Sequence, residues 1–104
     1  MRNYEMMMII DAEIPEENKN KVIEKIENII KGKEGKINEK IDWGIRKFAY
    51  PIRKKNEGHY FILRFSAPQD VPGEIKKEVR LINEIYRIMI LREENVKSFK
   101  KRRG

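Results

Sequence analysis

The sequence predicts an α+β fold, a four-stranded antiparallel sheet with two helices packed on one of its faces. Two observations carry the prediction. Apolar residues recur at three- and four-residue spacing in two stretches and mostly at alternate positions in others, which separates helices from strands. These stretches follow one another as strand, helix, strand, strand, helix, strand. Each strand–helix–strand unit needs a right-handed crossover, so both helices go to one face of the sheet and the other stays open. A chain of 104 residues makes one such domain and not two.

Residues 2–10, "RNYEMMMII", are mostly apolar and end abruptly at Asp11 to Pro15, which fits a strand despite three consecutive methionines. After Pro15, Val22, Ile23, Ile26, Ile29 and Ile30 make a helical stripe. Glu16 and Glu17 suit the positive N-terminal end of that helix, and Gly32 fits its stop. Ile37, Ile41, Trp43 and Ile45 then fall on odd positions, a strand that continues to Ile52. Gly44 inside it marks a bulge, and Pro51, which lacks a ladder donor, places it at a sheet edge. "KKNEG", residues 54–58, reads as a hairpin turn with Gly58 supplying the unusual backbone angle. In the third strand, residues 59–66, Phe61, Leu63 and Phe65 face the core, while Tyr60, Ile62 and Arg64 face the other way. Asp70 fits an N-cap, with Pro72 in the first turn of a helix whose stripe is Ile75, Val79 and Ile82. The last strand is "IYRIMILR", residues 85–92. Its Ile88 and Ile90 join the core, and its Arg87, Met89 and Leu91 lie on the open face with Met7 and Ile9. The result is a ferredoxin-like βαββαβ sandwich over residues 1–92. Residues 93–104, where the apolar pattern is lost, are expected to form a basic, mobile tail.

Composition narrows the function. There is no cysteine, so no disulfide framework or thiolate metal site is available. No apolar run approaches the ~20 residues of a membrane span, and the N-terminus lacks a signal-peptide cleavage pattern. A soluble, cytoplasmic protein is expected. The formal charge of +7 is focused. Residues 43–55 hold five cations and no acid, as do residues 97–104, while the remainder carries 14 basic and 17 acidic residues. Cations concentrated on a near-neutral scaffold favour contact with a polyanion.

Catalytic motifs are missing. His59 is the only histidine and reads as a surface residue beside a turn. No Gly-rich phosphate loop, metal-ligand spacing or nucleophile elbow occurs. Carboxylates such as Glu24 and Glu27 sit near lysines on helix faces, where solvated pairing accounts for them. Acylphosphatases share the fold, but the Gly-rich loop and paired arginine expected after their first strand are absent. The RNA-recognition motif has the same element order, yet "HYFILRF" lacks its Gly-aromatic signature.

Three stretches, "MRNYEMMMII", "WGIRKFAYPIRKKNEGHYFIL" and "EIYRIMILR", resemble the S-six family of bacterial small-subunit ribosomal proteins, over residues 1 to about 92. The resemblance implies a non-enzymatic ribosomal protein that binds the central domain of small-subunit ribosomal RNA. It also implies a neighbour, the eighteenth protein of the small subunit, with which the family binds during assembly of the platform. The family's opening corresponds to Arg2, Tyr4 and Glu5, and its basic pair to Arg46 and Lys47. Expected RNA contacts are therefore Arg2, Tyr4, Arg46 and Lys47, joined by Arg53, Lys54 and Lys55 at the turn and by Arg87 and Arg92 on the last strand. Lys97, Lys100, Lys101, Arg102 and Arg103 are added on charge alone. A partner chain is expected at Tyr50, Tyr60, Ile62 and Met89. No cofactor, metal, membrane or small-molecule substrate is implied. The alternative reading is a protein-interaction module that docks a partner on the open sheet or edge strand.

Overall fold

β1 (Arg2–Asp11) occupies the middle of the sheet because both of its faces are apolar. Met6, Met8 and Ile10 point to one side and are fully buried; Met7 and Ile9 point to the other. The computed structural model describes residues 1–93. It continues with α1 (Glu16–Gly32), β2 (Lys36–Ile52), β3 (Lys55–Ala67), α2 (Val71–Val79) and β4 (Ile85–Arg92). The sheet order is β2-β3-β1-β4 and every pairing is antiparallel, as the ferredoxin-like reading requires. Register pairs Met7 with Ile62 and Met89, and Ile9 with Tyr60 and Arg87, so these residues share the face without helices.

The helices cover the opposite face. α1 presents Val22, Ile23, Ile26 and Ile30, and α2 presents Val71, Ile75 and Val79, against Phe61, Leu63 and Phe65 of β3. Ile88 and Ile90 pack against this cluster, as expected. Tyr4 belongs to it as well, with its ring stacked 5.5 Å from that of Phe65. Burying one large apolar side chain of this kind contributes roughly 1.5–3 kcal/mol. Asp70 holds the N-cap position of α2 but makes no side-chain capping bond. α2 ends at Val79, so Ile82 lies in the following turn, where it is nonetheless buried.

β2 follows the expected course, with corrections at its far end. Gly44 has φ 82° and sits at a register shift, the bulge that its position suggests. Pro51 lies in an edge strand. The hairpin turn, however, is not at "KKNEG". Arg53 (φ 51°) and Lys54 (φ 63°) form a two-residue turn flanked by the pair Ile52 and Lys55. Two successive left-handed residues are what a type I′ hairpin demands. Gly58 lies inside β3 instead, paired with Arg46. Between the Lys47–Glu57 and Ile52–Lys55 pairs, β2 has four residues against one on β3, so residues 48–51 bulge out of the ladder. Glu93, assigned from sequence to the tail, donates its N–H to the Asn3 carbonyl at 3.1 Å. Residues 94–104, with Lys97, Lys100, Lys101, Arg102 and Arg103, lie outside the described residues.

Candidate nucleic-acid interface

The face without helices is divided into two zones by the side chains of β2 and β3. Toward the hairpin, Trp43 stacks near Tyr60 with centroids 6.5 Å apart, and Phe48 lies against the same ring at 6.3 Å. Phe48 can cross β3 because Gly58 offers no Cβ; one built there would meet Phe48 Cζ at 2.7 Å and Ile9 Cγ2 at 2.5 Å. Ile62 and Ile9, which share this face, are buried in it. The other zone is ionic. Arg64 places Nη1 3.1 Å from Glu39 and Nε 3.5 Å from the buried Glu5, and Nη2 bonds the Glu93 carboxylate. The hydrogen bond it donates to Glu93 raises the pKa of Arg64 above its ordinary value, against the opposing effect of burial, with Glu39 and Glu5 adding to it.

The hairpin end is fastened to the rest of the molecule. Arg53 Nη1 donates to the Asn83 carbonyl at 2.9 Å, and its guanidinium lies 5.2 Å from the centre of the Tyr86 ring. Lys55 Nζ donates to Glu13 at 2.8 Å, a bond that raises the lysine pKa. Burial, with the charge and hydrogen bond of Asp11, raises that of Tyr86. Held this way, the bulged segment 48–51 forms one wall of a groove of about 620 Å³ beside β4. Met7, Ile9 and Tyr60 contribute to its lining from the sheet, and Tyr50 and Met89 line it while remaining 81% and 47% exposed. The lining also includes Lys47, Arg87, Lys76 from α2 and Arg80 just beyond its end. Among the described residues no carboxylate lines it.

The cations named from sequence fall into distinct groups. Lys47, Lys54 and Arg87 are exposed. Arg46 is half-buried, its guanidinium 5.7 Å from the Trp43 ring centre, and its buried Nε has no acceptor among the described residues. Arg53 and Lys55 are committed to the internal contacts just described. Arg2 is half-buried and donates to Gln69 at 3.5 Å. Arg92 is half-buried on β4 opposite Tyr4. The aromatic and apolar candidates divide too. Tyr4 and Ile62 are buried, so neither offers surface to a ligand. Tyr60 is half-buried between Trp43 and Phe48, and Tyr50 and Met89 remain accessible. Tyr50 projects from the bulge.

His59, which lies within β3 and not beside the turn, has a partner that the sequence does not reveal. Its Nε2 lies 2.6 Å from Asp42 Oδ1, and Asp42 also accepts the Gly44 N–H at 2.8 Å and faces Lys19 at 3.5 Å. Burial alone would raise the Asp42 pKa. The hydrogen bonds from His59 and Gly44, with the charges of His59 and Lys19, outweigh it and leave the carboxyl below its ordinary value. The aspartate thereby ties the Gly44 bulge to β3 and α1. Among the described residues no group of three or more metal-ligating side chains is assembled.

A family model described as ribosomal protein S6 matches residues 3–92. The chain belongs to the ribosomal protein S6 family. Relatives include the small ribosomal subunit protein bS6 of Caldanaerobacter subterraneus, 36% identical over 95 residues, which span 91% of this chain and 100% of that protein. The bS6 of Clostridium novyi is 40% identical over 95 residues, 90% of this chain and 99% of its own length. A solved S6 structure, the 30S ribosomal protein S6 of Thermotoga maritima, matches with a TM-score of 0.84 at 36% identity, covering 98% of this chain and 94% of that one. The S6 family match spans all six elements, so the interface described above is carried on the family's own scaffold.

Proposed function

We propose that the chain binds the central domain of small-subunit ribosomal RNA together with the eighteenth small-subunit protein, and so helps to assemble the platform. As a family member it is a non-enzymatic protein of the small ribosomal subunit, at work in the cytoplasm. The observation that carries the RNA reading is the distribution of accessible cations. Lys47 and Lys54 are exposed along the edge strand and its turn, Arg46 is held against Trp43 beside them, and Arg87 is exposed on β4. No acid falls between residues 43 and 55 to oppose phosphate. Phosphate contacts position a protein on RNA and make its affinity salt-dependent, while RNA shape supplies specificity.

Footprinting small-subunit ribosomal RNA with the purified chain, with and without the eighteenth protein, tests this. Protection confined to the central domain and strengthened by the second protein supports the reading. Protection scattered over all domains, weakening equally everywhere with salt, would reduce the chain to a nonspecific polycation. The second reading, a module that docks a protein on the open face, draws support from the exposure of Tyr50 and Met89. Both line the one groove, and the two readings divide over what occupies it.

A further inference from the structure

We infer that the groove between the bulged segment 48–51 and β4 is a subsite for an unpaired base of single-stranded RNA, stacked on Tyr50. The inference rests on the RNA-binding reading above and extends it from phosphate contact to base contact. Tyr50 presents an aromatic ring to solvent at 81% exposure, with no aromatic partner among the described ring contacts. An aromatic ring held at the mouth of an apolar cleft is what a base needs for stacking, and every base has a face to offer it. At about 620 Å³ the groove falls within the range of roughly 300–1,000 Å³ typical of pockets that enclose small organic ligands.

Charge selects the occupant. Lys47, Lys76, Arg80 and Arg87 surround the apolar floor, and no carboxylate balances them within the lining. A protein segment would have to be acidic to settle there. RNA brings one negative charge with each nucleotide, so its backbone can run among the cations while the base enters. The cleft is also preformed. Arg53, bonded to the Asn83 carbonyl and set over Tyr86, holds the hairpin end against the start of β4, so little ordering is left to the moment of binding.

The test is a fluorescence-anisotropy titration of the full chain with two labelled strands of equal length, an oligoadenylate and its abasic counterpart, at several salt concentrations. The wild type should bind the base-bearing strand about tenfold more tightly, the order expected for stacking one base on an aromatic ring. Tyr50→Ala should erase most of that difference and leave the log–log salt slope unchanged, since it removes no phosphate contact. Tyr50→Phe should restore it. Because the ring is exposed, melting of the variants should match wild type. Equal affinity for the two strands, or an unaltered preference in Tyr50→Ala, would overturn the base subsite while leaving the RNA reading in place. Should Tyr50 become shielded only on addition of the eighteenth protein, the groove is a protein interface and the inference fails. If neither strand nor ribosomal RNA binds, the RNA reading falls and the subsite falls with it.

Discussion

Gly58 is where the sheet's open face is decided. A methyl group there would come within 2.5 Å of Ile9 and 2.7 Å of Phe48, so Gly58→Ala should displace the Phe48 ring and cost ~1–3 kcal/mol as overpacking. Denaturant titration reads this directly, and an unmoved midpoint would show that Phe48 is free to swing aside. Phe65 is fully buried on the opposite face. Phe65→Ala should cost ~3–5 kcal/mol, much of the ~5–15 kcal/mol that holds a small domain together; a variant that melts like wild type would mean the core closes over the gap. Asp42 offers a pH dependence. Its carboxyl has a lower pKa folded than its ordinary 3.8, so its contribution is fully present above that value and fades as pH falls through the folded pKa. Melting temperatures of wild type and Asp42→Asn across the acid range should therefore converge as pH drops. Curves that stay parallel would remove Asp42 from the acid response.

At the scale of elements, β2 combines two tasks. Its first half is an edge strand that stays paired with β3 through two small register shifts, and its second half is a bulged arm that Arg53 fastens to the start of β4. Replacing Arg46 and Lys47 together by alanine should weaken RNA binding and flatten the log–log salt slope by about 0.9 per lost phosphate contact, or about 0.7 on single strands. A slope identical to wild type would take both residues off the contact surface. Periodicity made all six elements legible, as well as the Gly44 bulge, the edge position of β2 and the two faces of β3. It missed the turn because the strongest local signal, Gly58, serves side-chain clearance, while the left-handed backbone falls on Arg53 and Lys54, which carry no such mark. The candidate site was legible as a set of cations and three of its apolar lining residues, Tyr50, Tyr60 and Met89, but not as a groove. Arg53 finds its acceptor thirty positions along the chain, and no spacing rule reveals a partner at that distance. Ile62 is fully buried although it lies on the face without helices, between Met7 and Ile41 on the neighbouring strands, which alternation alone does not show.

Across the whole molecule, charge is distributed so that one segment holds much of the excess. Removing residues 97–104, five cations and no acid, would lower the formal charge from +7 to +2. RNA affinity should fall moderately at low salt and hardly at all at high salt, where screening already suppresses the contribution. Titration of the truncated chain at two ionic strengths would check this, and complete loss of binding at both would make that segment the principal site. The position of β1 has a further consequence, for the order in which the protein is made. Of the four strands the first synthesised is an interior one, and its two neighbours are residues 55–67 and 85–92. Neither exists when β1 leaves the exit tunnel. At translation speeds of about 5–20 residues per second, the run Met6–Ile10 waits some seconds for its first neighbour and longer for its second. Until then it is an unpaired apolar strand near other nascent chains, open to chaperones and to misassociation. The sheet closes only after the last of its four strands has emerged.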